Sequence, residues 1–369
     1  MSERSERPMS TIATQLDQLR GDAPATRHNA RTIAALTANP GCARRALLDA
    51  AAVDKAVIAQ SLGFPPQFGQ SQFAITRGNA FESMVKANGC AELLALLRDT
   101  LGLTLPEVAY HDLNSVGENT GNAVRYQRTK QLLASSIAAG DGTLFDHPML
   151  RLDIAGATAY LEPDVVAVQL DGKFHVVEIK AFPVIDGQAD PAQVAAAARQ
   201  SAVYVIALRE LMTEIGESPE LVSHNTILVC AKDFTNRPTA ELVDLRKQLA
   251  VVSRQLTRLT AIPDLLEILP PEATFAPGED LEKTIAAIPA RYAPECMSSC
   301  ELAFACRDEA RTCGSVDALG RGVCDEFGGI DNIDTVLGLA DGTLEPGPEH
   351  ADITAILRTA HRLRLEIAG

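Results

Sequence analysis

The apolar positions in the centre of the chain follow the two-residue spacing of β-strands. Residues 148–180, PMLRLDIAGATAYLEPDVVAVQLDGKFHVVEIK, are rich in β-branched side chains. They include Asp171-Gly172 between two strand-like runs, which is a strong signal for a two-residue hairpin turn. This segment predicts three consecutive antiparallel strands. The apolar run NTILVCA at 225–231 predicts a fourth strand that is buried on both faces.

Helical spacing of apolar residues dominates the rest of the chain. Asp190-Pro191 predicts an N-cap and a first helical residue, opening an alanine-rich helix over 191–215. Residues 111–145 are polar and predict a mobile or substrate-facing insertion with a helical piece at 130–139. The other predicted helical stretches are 29–61 (broken at 39–41), 77–102, 238–290 and 314–369.

The order of helix, three strands, helix and strand predicts an α/β fold, a mixed sheet flanked by helices. We expect five parts: a disordered or loosely attached tail (1–28), an N-terminal helical segment (29–76), a core (77–235), a helical region that ends in three cysteines (236–313) and C-terminal helices (314–369). Within the last part, 318–342 is similar to a helix-hairpin-helix element around Gly328-Gly329-Ile330. A helical hairpin that only packs is the competing interpretation.

Charge and composition narrow the class of protein. The 369 residues carry a formal net charge of -15, which argues against nonspecific coating of nucleic acid but allows a local basic groove. No apolar run approaches the roughly 20 residues needed to span a bilayer, and the polar first 27 residues lack a secretion signal. We therefore expect a cytoplasmic protein. Candidate phosphate-binding side chains are Arg44, Arg45, Arg77, Arg125, Arg128 and Lys130.

Two carboxylates and a lysine are predicted to converge at one end of the central hairpin. Asp164 begins one strand, whereas Glu178 and Lys180 end the other and, being two residues apart, point to the same face. Buried charge is costly unless it is paired or bound to metal. Carboxylates that hold Mg²⁺ or Mn²⁺, with a lysine that orients water or stabilises charge, are suited to phosphodiester hydrolysis.

These residues resemble the PD-(D/E)XK nuclease superfamily, whose two diagnostic positions are matched by Pro163-Asp164 and Glu178-Ile179-Lys180. Gln200 and Tyr204 are similar to the Gln-x-x-x-Tyr motif of the RecB-like branch. The segment RGNAFE, residues 77–82, resembles the first motif of that branch and implies that Glu82 supports the site. Many relatives carry histidine where this chain has Phe81. The resemblance implies a restriction-endonuclease-like core, with Asp164 and Glu178 as metal ligands and Lys180 as the catalytic lysine.

The chain has eight cysteines, and three of them lie within CMSSCELAFAC at positions 296, 300 and 306. In a reducing compartment, clustered cysteines indicate a metal site. The same resemblance extends to RecB-like nucleases with an iron-sulfur cluster, including the AddB nuclease domain and CRISPR-associated nucleases. It implies a [4Fe-4S] cluster held by Cys42, Cys296, Cys300 and Cys306. Alternatively, Cys313 replaces Cys42 in a local zinc or iron-sulfur site. The remaining cysteines are predicted to be buried thiols: Cys90, Cys230 and Cys324.

The expected function is metal-dependent cleavage of DNA, single-stranded or with free ends, in DNA repair or phage defence. A helicase or a larger repair or defence complex is an expected partner, and a membrane is not. A second hypothesis is a catalytically weak iron-sulfur subunit that binds nucleic acid within such a complex. A third is a zinc-stabilised protein unrelated to nucleic acid.

Overall fold

The computed structural model divides into two compact units. The first, the cysteine unit, comprises Met1–Ala25, Asn39–Phe68 and Thr260–Gly369; the second, the sheet unit, comprises Thr26–Ala38 and Gly69–Leu259. The structure describes residues 12–26, 29–39, 41–66, 72–101, 108–113, 121–140, 142–154, 157–170, 172–233, 235–257, 262–293, 296–314, 316–319 and 321–368.

The helices, in chain order, are α1 (Ile12–Arg20), α2 (Ala30–Ala38), α3 (Ala43–Ala50), α4 (Lys55–Ser61), α5 (Gln72–Val85), α6 (Ala87–Leu101), α7 (Asn122–Ala139), α8 (Pro191–Glu214), α9 (Arg246–Leu256), α10 (Ile262–Glu267), α11 (Glu279–Ala287), α12 (Cys296–Ser299), α13 (Ala303–Cys313), α14 (Arg321–Glu326), α15 (Ile333–Asp341) and α16 (Ala351–Ala368). The strands are β1 (Ala109–Asp112), β2 (Thr143–Asp146), β3 (Leu150–Ile154), β4 (Ala157–Leu161), β5 (Val165–Leu170), β6 (Lys173–Ile185), β7 (Gln188–Ala189), β8 (Val222–Lys232) and β9 (Pro238–Asp244).

The sheet unit is built on a mixed sheet, to which seven of its described strands contribute. Six follow the order β1-β2-β5-β6-β8-β9, and β7 pairs with β6. The β1/β2 and β6/β8 pairs are parallel, whereas β2/β5, β5/β6 and β8/β9 are antiparallel. Helices α5 and α6 cover one face of the central strands, where Phe81 and Leu93 pack with Val177 and Ile179. Helix α8 covers the other face, where Ala197 packs with Leu228 and Cys230. The expected α/β class with a helix-flanked mixed sheet is confirmed.

Two of the predicted elements were placed well by their local signals. The carboxylate of Asp190 accepts hydrogen bonds from the amides of Ala192 and Gln193, and Pro191 occupies the first turn, so the helix predicted at 191–215 is α8. The apolar run at 225–231 lies inside β8, and pairing with β6 and β9 explains why its residues are buried.

The prediction of three consecutive antiparallel strands over 148–180 was wrong. The segment forms four strands in two sheets: β3 and β4 make a separate hairpin, and β5 and β6 join the main sheet. Asp171 lies outside the described residues, while Gly172 has φ +72, as a tight turn requires. The polar insertion expected at 111–145 instead contributes two sheet strands on either side of α7. Residues 238–244, expected to be helical, form β9 because they pair along β8.

The predicted parts of the chain also need correction. Residues 12–20, assigned to a loose tail, form helix α1, whose Leu16 and Leu19 are buried in the cysteine unit. The amide of Phe275 donates to the Leu19 carbonyl over 2.7 Å, and Arg20 donates to the Ala51 carbonyl over 3.1 Å. Residues 1–11 lie outside the described part. Helix α2 and strand β9 belong to the sheet unit, so the boundaries expected at 29–76 and 236–313 do not follow the units.

The two short helices expected within 318–342 are α14 and α15, which flank the glycine turn. Gly328 and Gly329 have φ of +66 and +83, and Ile330 is buried against Val316 and Leu339. This element therefore packs as a helical hairpin in the cysteine unit. Among the described residues, no helix is both long enough and apolar enough to cross a membrane.

Candidate active site and cysteine cluster

The β5/β6 register brings the two predicted carboxylates together. Val165 pairs with Val177, so the next position along each strand places Asp164 opposite Glu178. The Asp164 carboxylate accepts a hydrogen bond from the Ile179 amide over 2.7 Å, which holds its side chain against β6. Glu178 and Lys180 align with Leu228 and Cys230 of β8, which pack towards α8. All three predicted residues therefore meet at one end of the β5/β6 pair.

Glu178 is the most unusual carboxylate of this group. Its side chain is 0% exposed; the Lys180 ammonium lies within hydrogen-bonding distance of Oε1, and within the described part of the chain Oε2 has no hydrogen-bond partner. Lys180 forms an ion pair with it, and the lysine side chain retains 30% exposure. Burial and the nearby Asp164 raise the pKa of Glu178 to about 8, although Lys180 acts in the opposite direction. Burial also raises the pKa of Asp164, whereas the two carboxylates keep the pKa of Lys180 raised against its desolvation.

Gln200 and Tyr204 support the turn that carries Asp164. Both lie on α8, four residues apart, and the Gln200 amide donates to the Tyr204 hydroxyl over 3.2 Å. The Tyr204 hydroxyl in turn donates to the carbonyl of Glu162 over 2.9 Å. Burial, followed by the charges of Glu178 and Asp164, raises the pKa of Tyr204 well above its usual value, so the phenol stays protonated and can donate.

Glu82 takes part in a charged network that the sequence alone did not indicate. Lys86, the residue directly after α5, places its Nζ 2.6 Å from Glu82 Oε1 and 2.9 Å from Asp146 Oδ1. His147 lies between the same carboxylates, with Nδ1 2.9 Å from Asp146 Oδ1 and Nε2 3.5 Å from Glu82 Oε1. The i, i+4 spacing of Glu82 and Lys86 was visible in the sequence, but Asp146 and His147 reach the site only through the pairing of β2 with β5.

The charges of this network shift the pKa of each member. A hydrogen bond with His147 and the ammonium of Lys86 lower the pKa of Glu82 to about 2. Contacts with His147, Lys86 and the Tyr110 hydroxyl outweigh burial and lower the pKa of Asp146 to about 2. The same two carboxylates raise the pKa of His147 to about 9, although burial and the charge of Lys86 oppose the shift.

Phe81 does not face this network. Its side chain is 3% exposed and packs in the core with Val85, Cys90 and Leu93. Position 81 therefore supplies no ligand side chain. An imidazole next to Glu82 is supplied by His147, directly after β2.

Most of the basic residues predicted to meet phosphate have structural partners instead. Arg125 donates to the Glu162 carboxylate, to the Leu113 carbonyl and to the His147 carbonyl. Lys130 pairs with Glu214 at 2.6 Å. Arg44 and Arg45 are 2% and 4% exposed, so neither is a surface residue. Arg77 and Arg128 are exposed.

The four predicted cluster cysteines are all free and buried in the cysteine unit. Arg44 Nη1 lies 3.5 Å from Cys306 Sγ, and its guanidinium also donates to the Ile288 carbonyl and the Glu309 carboxylate. Burial raises the pKa of Cys306 to about 12; Arg44 opposes this shift, and nearby Cys42 and Cys300 add to it. Arg45, which follows on α3, donates to the Ser299 carbonyl over 2.8 Å and lowers the pKa of Cys300 against a dominant effect of burial.

Cys313 differs from these four. It is exposed, and its thiol donates to the Ala310 carbonyl of its own helix over 3.3 Å. Cys90 and Cys230 are buried within the sheet unit, as expected, whereas Cys324 is partly exposed.

The four cluster cysteines are related by burial and by charge. Cys42 and Cys300 lie near enough to Cys306 to raise its pKa, so these thiols share one buried region of the cysteine unit. In the sheet unit, the ligand atoms of Asp112, Asp146 and His147 all lie within 4.8 Å of one another.

Comparisons with known proteins add little to this description. No family model matches the chain, and no curated protein matches it. Among solved structures, the chain is similar to the crystal structure of SSO0001, with 10% sequence identity and a TM-score of 0.22. The similarity covers 68% of this chain and 85% of the SSO0001 chain. A similarity at that TM-score carries no argument about fold or function, so the proposals below rest on the residues.

Proposed function

We propose that the protein is a metal-dependent deoxyribonuclease of the PD-(D/E)XK type, with a restriction-endonuclease-like core in its sheet unit. Glu178 is the observation that carries this proposal. A fully buried carboxylate whose Oε2 has no hydrogen-bond partner among the described residues is costly to keep even with Lys180 beside it, and opposite Asp164 it forms an oxygen-only donor pair. Hard divalent cations favour such donors.

The donor set fits Mg²⁺ or Mn²⁺, which Asp164 and Glu178 would hold. When bound, the ion would supply Lewis-acid activation of the phosphate and of a water molecule. Lys180 adds a positive charge beside Glu178, on a partly exposed side chain that can meet substrate. Its ammonium orients the attacking water and stabilises negative charge that develops on the phosphate oxygens.

The surrounding residues position these three groups. Tyr204, supported by Gln200, binds the Glu162 carbonyl two residues before Asp164, which restricts the turn. The Ile179 amide fixes one oxygen of Asp164 and leaves the other for a ligand. Glu82 belongs to the charged network next to the site and contributes to the electrostatic environment of both Asp164 and Glu178.

The cysteine unit is proposed to hold a [4Fe-4S] cluster through Cys42, Cys296, Cys300 and Cys306. Four free, buried thiols in one unit fit thiolate ligation of an iron-sulfur group. The exposure of Cys313 favours Cys42 as the fourth ligand. The cluster would tie α3 to the segment that begins at α12, closing a loop of about 250 residues and lowering the entropy of the open chain. Its proposed role is structural.

The proposed substrate is DNA, single-stranded or with free ends, in DNA repair or phage defence, with a helicase or a larger complex as partner. The net charge of -15 confines favourable phosphate contacts to local groups such as Lys180, Arg77 and Arg128. Cleavage is therefore expected to fall steeply with ionic strength.

The test is cleavage of end-labelled single-stranded DNA and of duplex DNA with free ends, by protein purified without oxygen, with Mg²⁺ or Mn²⁺. Wild type should cut and Asp164→Asn should not, because the amide removes the anionic ligand with little change in shape. Asp99→Asn, on the exposed side of α6, is the matched control and should cut like wild type. DNA binding by wild type with no cleavage in either metal would refute the nuclease and leave the binding-subunit hypothesis.

A further inference from the structure

A lysine ammonium occupies the centre of the network next to the proposed metal site. The Lys86 side chain is 7% exposed, and its Nζ lies 2.6 Å from Glu82 Oε1, 2.9 Å from Asp146 Oδ1 and 3.0 Å from His147 Nε2. Two carboxylates and an imidazole, one from α5 and two from the end of β2, thus converge on one nitrogen. This is a donor set that divalent metal ions also use.

The network is directly connected to the proposed metal ligands. The His147 amide donates to the Asp164 carbonyl over 3.2 Å, which links β2 to the turn that carries Asp164. His147 has φ +50, in the left-handed region that histidine adopts more often than most residues other than glycine. Arg125 donates to the His147 carbonyl over 3.0 Å and so holds this backbone conformation. The imidazole and the Asp164 turn are therefore fixed relative to one another.

Lys86 places a permanent positive charge between Glu82 and Asp146, and the imidazole of His147 adds a second charge when it is protonated. Without Lys86, Glu82 and Asp146, which is 4% exposed, would lose their permanent counter-ion. Nucleases that use two metal ions fill such a second carboxylate site with a second ion. Here the chain itself supplies the positive charge, from a residue one helical turn after Glu82.

We propose that the Lys86 ammonium occupies the place of a second metal ion, so that the nuclease site binds a single divalent cation, at Asp164 and Glu178. This inference rests on the proposed function, since it describes the metal content of that site. Lys86 is a positioning residue in this account: its charge holds Glu82, Asp146 and His147 in place next to the Asp164 turn. The site then has two positive charges, the divalent ion at Asp164 and Glu178 and the ammonium of Lys86. The charge of Lys86 does not depend on metal concentration.

The experiment is a titration of the whole protein with Mn²⁺, in which free Mn²⁺ is measured by electron paramagnetic resonance. Wild type should bind about one Mn²⁺ per chain, and Lys86→Met about two, because removal of the ammonium leaves a vacant donor set. The double variant Lys86→Met/His147→Ala should again bind about one Mn²⁺ per chain. Lys247→Met, an exposed lysine of α9, is the matched control and should bind like wild type.

The inference would be overturned if wild type bound two Mn²⁺ per chain, or if folded Lys86→Met still bound one. Should Lys86→Met fail to fold, Lys86→Arg keeps the charge and must stay at about one ion; a second ion in that variant would also overturn it. Absence of Mn²⁺ binding by wild type would instead refute the proposed function. In that case, a site gained by Lys86→Met would still support the role of Lys86, and no gain would reject it.

Discussion

The buried Glu178 carboxylate makes a prediction about stability that is separate from any assay of cleavage. A catalytic charge kept in an apolar site should destabilise the metal-free fold. Glu178→Gln replaces the carboxyl group with a neutral amide of similar shape, so the variant should unfold less readily than wild type at neutral pH. The amide is as poorly hydrogen-bonded as the protonated acid, and the comparison therefore isolates the cost of ionisation.

The magnitude follows from the pKa. With an ordinary pKa of 4.5 and a folded pKa of about 8, Glu178 binds more protons in the folded protein between these values. Stability must therefore fall as pH rises from 4.5 towards 8. At pH 7 the cost is about 1.36 kcal/mol for each of the 2.5 pH units above 4.5, or roughly 3 kcal/mol. This is an upper limit, because Lys180 loses its partner in the variant.

The assay is urea unfolding in EDTA, followed by far-ultraviolet circular dichroism across pH 4.5 to 8, with hydrogen exchange in β6 to confirm that the sheet unit is reported. Glu241→Gln, an exposed position on β9, is the matched control and should leave the midpoint unchanged. Added Mn²⁺ should stabilise wild type and not Glu178→Gln. Two results would show that the ionised Glu178 carboxylate does not destabilise the fold. One is a Glu178→Gln variant that is less stable than wild type at pH 7, and the other is a difference in unfolding free energy that does not grow with pH.

Three further predictions concern the supporting residues. Tyr204→Phe removes the hydrogen bond to the Glu162 carbonyl and should lower the free energy of unfolding in urea by about 1 to 2 kcal/mol. The same variant should lower kcat more than it raises KM, and unchanged kinetics would contradict a positioning role. Arg44→Met removes a buried guanidinium and should destabilise the cysteine unit by about 2 to 4 kcal/mol. The loss should appear as faster hydrogen exchange in α3, and wild-type exchange rates in α3 would contradict a stabilising role for Arg44. Cys42→Ser should lose iron and its visible absorbance while Cys313→Ser keeps both, and the reverse pattern would favour the local ligand set.

The sequence was informative where the physical signal is local. An aspartate before a proline marked the start of α8, and the two-residue spacing of Glu178 and Lys180 put both on one face of β6. These features needed no knowledge of distant parts of the chain. The turn around Gly172 was also a local signal, and it pairs Leu170 with Lys173. A register shift between Val168 and Leu170, which the sequence did not indicate, then places Asp164 opposite Glu178 instead of Ile179.

The charged network could not be predicted in the same way. Asp146 and His147 lie at the end of a four-residue strand whose place in the sheet depends on pairing with β1 and β5, more than ten residues away on either side. The i, i+4 spacing of Glu82 and Lys86 is typical of an exposed helical pair, whereas the Lys86 side chain is 7% exposed. Phe81 was interpreted by position in a motif, whereas the turn of α5 sends its ring into the core.

The cysteine unit shows the same division. The short spacing of Cys296, Cys300 and Cys306 marked them as a group, but the sequence left both Cys42 and Cys313 as the fourth member. Only the fold buries Cys42 among the others and leaves Cys313 exposed at the end of α13. Likewise Arg44 and Arg45, which look like phosphate ligands in the sequence, are buried next to Cys306 and Cys300.

The most direct test of the central claim compares wild type with Lys180→Met for Mn²⁺ binding and for cleavage of labelled single-stranded DNA in the same preparation. Lys180→Met should still bind Mn²⁺ through Asp164 and Glu178. It should cleave DNA at least about 10²-fold more slowly than wild type, because it lacks the charge that stabilises the transition state. A Lys180→Met protein that binds Mn²⁺ and cleaves at the wild-type rate would contradict the proposed active site.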